Sequence, residues 1–474
     1  MSQATVPPQS IPAAQVEKDG ESAAGGATPA GGRRPFAVFE TVLILLGLAT
    51  FGFVLPHNAA ADAAVRYRTL VALLDDGILA DNKYSIVGHL FALPLMGAAR
   101  LLGQHPLAWA KMYNSLLFAL AVGVLYLLLR HRLPGALLRR FFLVLIAGSM
   151  VAAHVVQFNS EPFTALAVGV GLVAVAVRRR SIGGWAAVAL GVANTTAALV
   201  PLAFVVAKRM WEHRRLRYVL VGVAAVALIA LDRWVRRGSP FSTGYEGDAG
   251  YRTVMPYSGL PGFSYPIFFG LLSLCLSFGK GLLFFAPGLV LPVRGPMRRL
   301  TLQADVDLYR LYGWWLLFTA GLVLVYAPWW AWYGGMTWGP RFLLFASLPA
   351  SLALAVRLWD LPERLWSRLL TLAVLTMSAW VGLCAAVFPE AGFPPQCSAA
   401  RYANEALCHS TLEFSALWYP LVQQLPVGRR DVAVIAYLVV VYCYLAAPLA
   451  RAIGRDIADR VRPVRADAVH GWRW

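Results

Sequence analysis

The chain is poor in charge and poorest in acid. Its 474 residues include 24 Asp and Glu against 42 Lys and Arg, and charged residues make up only 14%. Water-soluble domains run nearer ~25% charged, so a soluble globular chain is excluded. The short segments of alternating polarity that mark a transmembrane barrel are missing too. There is no Walker or GxGxxG loop, no HExxH pair and no cysteine spacing of the zinc type, so the usual carriers of those chemistries are absent. No self-similarity is found at a period of about 20–50 residues. No apolar stretch follows the first Met, which separates the opening segment from a secretory signal.

What the chain has is hydrophobic length. Hydrophobic residues make up 59% of it, and the mean hydropathy is +0.60. Many apolar runs approach about 20 residues, enough to cross a hydrocarbon core of roughly 30 Å as helix. The expected fold is an all-α, polytopic helical membrane protein with about twelve transmembrane or half-spanning helices. The net charge of +18 comes mostly from Arg clustered at the ends of apolar runs. That is the positive-inside pattern, with contact to anionic lipid, rather than a nucleic-acid surface.

Residues 1–35, rich in Pro, Gly, Ala and Ser, read as a disordered cytoplasmic tail. Arg33 and Arg34 before the first apolar run place the N-terminus inside. The stretch from His57 then lies outside, with Ile86–Leu102 along the outer interface and Leu107–Leu129 as the second span. Phe141–Gln157 and Phe163–Val177 follow around the short turn FNSEP. The run Trp185–Ala207 lies between two basic clusters, which predicts two half-helices meeting at Asn194–Thr195–Thr196. Arg236 and Arg237 stand on the outer side against the charge rule. Tyr265–Leu291 is interrupted at SFGKG. Spans over 311–327, 342–356 and 369–388 complete a domain covering 36–388. An extracytoplasmic loop, 389–430, precedes a last span and an Arg-rich cytoplasmic tail, 431–474. Both termini are then expected on the cytoplasmic side.

Acids are scarce enough for each outer-side acid to be weighed. Asp62 follows the first span closely and could take a proton from an acceptor hydroxyl as general base. It could equally cap the helix that starts there. Asp75, Asp76 and Asp81 read as the polar end of that helix and a turn. Glu161 lies in the short FNSEP turn and can face Asp62 across the bundle. It could also be a solvated turn residue. Two such carboxylates suit acid–base work or a divalent metal, and no metal is specified.

Lys280 in SFGKG is a cation at membrane depth, which is costly and points to function. Neighbouring amides could help it hold a phosphate. Arg341 suits bidentate phosphate contact. Alternatively it snorkels among Trp329, Trp330, Trp332, Tyr333 and Trp338, read as an interfacial belt. Tyr84, His89, Arg252 and Tyr257 are weaker candidates for substrate contact. Of five cysteines, Cys275, Cys384 and Cys443 lie in apolar runs and read as small hydrophobes. Cys397 and Cys408 share the last outer loop and are expected to pair there.

Together, the early loop Asp62, the interfacial helix after it, Glu161 in the second outer turn, SFGKG and the segment WYGGMTWGPR ending at Arg341 resemble the GT-C class of integral membrane glycosyltransferases. More narrowly they are similar to bacterial relatives of dolichyl-phosphate-mannose protein mannosyltransferases and lipid A aminoarabinose transferases, over roughly 36–388. The resemblance implies inverting transfer of a sugar from a polyprenyl-phosphate donor to a glycan, lipid or protein acceptor on the outer face. Asp62 would be the base, Glu161 the second-loop acid, and Lys280 and Arg341 the partners of the donor phosphate. One departure is that Asp62 is followed by Ala63 where those families often carry an Asp-Glu pair. The competing readings are a lipid-linked sugar flippase or other transporter, which would concentrate charge at the midplane, and a non-catalytic assembly protein.

Overall fold

The computed structural model describes residues 33–178, 181–249, 252–255, 257–389 and 394–469. Residues 1–32 of the expected tail, Arg179 and Arg180 of the basic RRR cluster, and residues 470–474 lie outside the described residues. The described chain is helical throughout, apart from connections and one isolated bridge.

Seven helices are long and apolar enough to span a bilayer, and shorter ones pack between them. α1 (Arg33–Ala49) continues as a π turn to Val54. α2 (Asp62–Asp76) is short and mixed in polarity, and α3 (Leu93–Leu101) follows a 3-10 turn from His89. α4 (Pro106–Leu129) is a full span. Phe141–Gln157, expected as one run, is instead broken between α5 (Gly135–Ala147) and α6 (Val151–Val155). Ser149 makes the break tolerable: its hydroxyl donates to Leu145 O (2.6 Å) and accepts from Val151 N (3.2 Å).

α7 (Glu161–Val177) pairs with α8 (Ile182–Asn194). Glycines let the two backbones meet, since a Cβ on Gly171 would lie 2.6 Å from Gly184 O; small residues at such contacts drive helix packing in lipid. At Thr195 the chain turns extended, and α9 (Leu199–His213) begins after a 3-10 turn. The run between two basic clusters is thus two shorter helices, as expected. α10 (Val219–Arg237) is a span on the periphery, only 17% buried by protein.

Tyr265–Leu291 is divided into α11 (Ile267–Leu276), the single turn α12 (Leu282–Phe285) after the 277–281 turn, and a 3-10 turn, Pro287–Val290. α13 (Arg294–Gln303) leads into α14 (Leu308–Tyr326). A 3-10 turn, Arg341–Ala346, opens α15 (Ser347–Trp359). This span is the centre of the bundle, 89% buried. α16 (Leu365–Val387) is followed by the short helices α17 (Ala399–Tyr402), α18 (Glu405–Ser410) and α19 (Tyr419–Val422). α20 (Arg429–Val469) carries the Arg-rich end as continuous helix rather than as a separate tail.

One contact joins the two loops that hold the acids. Asn58 N donates to Val156 O (2.9 Å), and Phe158 N donates to Asn58 O (3.1 Å). The backbone just before Asp62 is thereby fixed to the backbone just before Glu161.

Candidate active site where two loops meet

Asp62 and Glu161 each open a helix, α2 and α7. A negative charge is favoured in a first turn by the helix dipole, and Pro162 beside Glu161 suits that position. Asp62 is not the cap of α2. The cap position is Ala61, and the Asp62 carboxylate turns away to side-chain partners. Ala61 holds φ +49° and ψ −121°, a region that a residue with a Cβ avoids. Strain of this kind is kept where the surroundings enforce it, most often at functional sites.

A single guanidinium bridges the acids. Arg341 Nη2 donates to Asp62 Oδ2 (3.1 Å), and Arg341 Nε lies 3.5 Å from Glu161 Oε1. Tyr84 OH donates to Asp62 Oδ1 at 2.6 Å. Beneath them Arg66 lies over the Tyr84 ring at 4.3 Å and donates to Ser160 Oγ at 3.2 Å. Burial pushes the Asp62 carboxyl up, but Arg341, the Tyr84 hydroxyl and Arg66 together outweigh it and hold the group below its usual range. Burial, then the hydrogen bond to Asp62, pushes the Tyr84 phenol up, so Tyr84 stays a donor.

Asn194, at the end of α8, locks this arrangement from behind. Its Oδ1 accepts from Gly88 N (2.9 Å), and its Nδ2 donates to Ser160 O (2.9 Å) and Thr164 Oγ1 (3.0 Å). The break after α8 therefore delivers a buried amide to both loops. Arg236 and Arg237, the residues that broke the charge rule, are ion-paired. Arg236 meets Asp232 at 3.0 Å, and Arg237 meets Asp81 at 3.0 Å as well as the Asn82 carbonyl. They grip the loop that carries Tyr84.

Lys280 does not face the acids. It is 1% exposed, and its ammonium donates to Gly335 O (3.1 Å), Thr337 O (2.5 Å) and Gly339 O (3.0 Å). Three donors meet three carbonyls, so none remains for a donor phosphate. The expected aromatic belt is likewise corrected. Trp332 and Trp338 are each 1% exposed, packed on Tyr265 and His409 and on Phe285. Both are core, and the segment after α16 covers Trp332 through His409.

His89 is buried edge-on to Phe158 (4.8 Å). Arg252 is exposed, and Tyr257 packs edge-on to Tyr265 (5.7 Å); the structure brings neither to the acid pair. Lys83 lies in the same outer loop as Tyr84. It is a third exposed, pairs with Asp248 at 2.7 Å and lies near the Tyr84 and Tyr245 rings. Its signal was adjacency to Tyr84. The signal for Arg66 was its place one helical turn after Asp62. A disulfide joins Cys397 to Cys408, with Cα atoms 6.0 Å apart. Among the described residues no three His, Cys, Asp or Glu side chains gather as metal ligands. The space between the two carboxylates is taken by Arg341, so the residues do not fit a metal there.

The helical spans and the loop-held acid pair are those of a polytopic helical membrane protein. A solved structure of ArnT from Cupriavidus metallidurans bound to undecaprenyl phosphate is similar to this chain, with a TM-score of 0.50 and 14% identity over 90% of this chain and 80% of that one. At that identity the likeness shows the fold. No family model matches the chain, and no curated protein matches it in sequence.

Proposed function

We propose that the protein is a membrane glycosyltransferase that moves a sugar from a polyprenyl-phosphate donor to a hydroxyl acceptor of the cell envelope on the outer face of the inner membrane. The observation that carries the reading is the shared guanidinium: two carboxylates from separate loops meet one Arg in a half-buried site. The fold neighbour, solved with undecaprenyl phosphate, supports the donor class.

In the reaction, the acceptor oxygen attacks the anomeric carbon as the carbon–oxygen bond to phosphate breaks. The phosphate leaves with the electron pair, and the acceptor proton passes to Asp62. Arg341 and the more exposed Lys83 neutralise the departing phosphate, an electrostatic contribution that is often the largest. When phosphate draws Arg341 away, Asp62 loses the cation that holds its proton affinity down and becomes a better base. Glu161 keeps Arg341 oriented between these two states.

The test is transfer in proteoliposomes from a panel of radiolabelled polyprenyl-phosphate sugars, comparing wild type with Asp62→Asn. Transfer that vanishes in the variant while donor binding persists supports both the class and the base. Transfer that survives moves the base to Glu161. Movement of lipid-linked sugar across the bilayer without transfer overturns the proposal in favour of a flippase.

A further inference from the structure

Lys280 is among the most buried charged groups in the protein, yet it contacts neither acid of the proposed site. Its three bonds all end on one loop, the carbonyls of Gly335, Thr337 and Gly339. Gly339 is two residues before Arg341, and Arg341 N donates back to Gly339 O (3.1 Å). The ammonium therefore fixes the strand of backbone from which Arg341 reaches Asp62 and Glu161.

Lys280 is itself held from the other side. Gly279 N donates to His409 O (3.0 Å), and Ser415 Oγ donates to Phe278 O (2.9 Å). A Cβ on Gly279 would lie 2.1 Å from Cys408 O, so only glycine permits this approach. His409 stacks on Tyr333 at 4.6 Å and lies 3.6 Å from Glu405. The turn 277–281 thus sits between the loop of Arg341 and the helix α18 that the Cys397–Cys408 disulfide anchors.

We infer that Lys280 is a positioning residue for Arg341, and that the disulfide-anchored segment 394–410 acts on the site through it. This rests on the transferase reading only for its kinetic consequence; the geometric part stands without it. The groups that face Asp62 are Arg341 from the 3-10 turn before α15, Glu161 beyond it from α7, Arg66 from α2, Tyr84 from the following loop and Tyr245 from the loop after α10. Arg341 is the one of these that Lys280 controls. Releasing it leaves the Asp62 carboxyl with burial less opposed, so its proton affinity rises.

The experiment compares wild type, Lys280→Met and Lys280→Gln in nanodiscs, with two readings. Amide exchange should rise in 333–341 in Lys280→Met and stay unchanged in α4, with Lys280→Gln between the two because it keeps two of three donors. The acid limb of kcat/KM should move up by about one pH unit, as expected for losing a nearby cation, and transfer should fall ~10²-fold, as for a displaced catalytic group. Binding of undecaprenyl phosphate should weaken in step with the exchange in 333–341, because Arg341 is one of its two proposed cations. Exchange unchanged in 333–341 overturns the inference, as does lost phosphate binding with the loop intact. If no donor supports transfer in wild type, the transferase reading fails while the exchange result still decides the role of Lys280. If Lys280→Met does not assemble, Lys280→Gln carries the same two readings.

Discussion

Tyr84 gives its hydroxyl hydrogen to Asp62 at 2.6 Å, across 22 residues of chain and the whole of α2. The bond favours the ionised carboxylate. A carboxyl held below its usual range contributes stability that is present above that range and is lost as pH falls through the folded value. Tyr84→Phe should therefore move the acid limb of kcat/KM upward and lower stability near neutral pH, with the difference from wild type shrinking as pH falls through the carboxylate range. A pH–rate profile and a pH series of melting temperatures check this. An unmoved limb would detach Asp62 from the rate.

Asp62→Asn keeps the shape of the side chain and removes its proton affinity. Loss of a general base costs typically about 10²–10⁴-fold. Transfer should fall by that order while the Arg341 contact and donor binding persist, read by single-turnover transfer beside an undecaprenyl-phosphate binding assay.

Asn194→Ala strips three hydrogen bonds that converge from Gly88, Ser160 and Thr164. The groups left behind are buried, so the cost should be about 1–3 kcal/mol or somewhat more. Because those partners belong to the two acid-bearing loops, transfer should fall beyond what the loss of folded protein explains. Thermal unfolding in detergent, paired with transfer per folded molecule, separates the two effects.

Cysteine labelling tests the orientation. With Cys275 and Cys443 replaced, single cysteines at 62 and 248 should react with an impermeant reagent from outside, and one at 298 should not. The reverse pattern would turn the protein over in the membrane and remove the outer-face site.

Loss of the cystine, in Cys397→Ser with Cys408→Ser, should lower stability by about 2–4 kcal/mol. Mass analysis of unreduced peptides should first show 397 linked to 408. The kinetic effect should resemble that of Lys280→Met, because the same segment leans on Gly279.

The spans were legible because apolar length is written directly in the chain, and so was the break at Asn194–Thr195–Thr196, which follows from basic residues on both flanks. The acids stood out because acids are rare here. What could not be read was partnership. Lys280 between glycines looks the same whether it meets a phosphate or three carbonyls from a loop 55–59 residues onward. Trp332 and Trp338 have the composition of a membrane belt, yet His409 packs on the first and Phe285 on the second, and both are core. Nor can the meeting of Arg66 with Ser160 be read, because a helix face and a turn do not announce that they will touch. Arg236 and Arg237 broke the charge rule for a reason held in the distant Asp81–Asn82 turn.

That last grip has a mechanical side. Only 17% of the residues in the spanning window of α10 are buried, so the helix lies at the edge of the bundle. Its end nevertheless holds the turn that carries Tyr84. The hydrogen bond that Tyr84 gives to Asp62 therefore depends on how a helix at the edge of the bundle is held, and not on the buried centre alone.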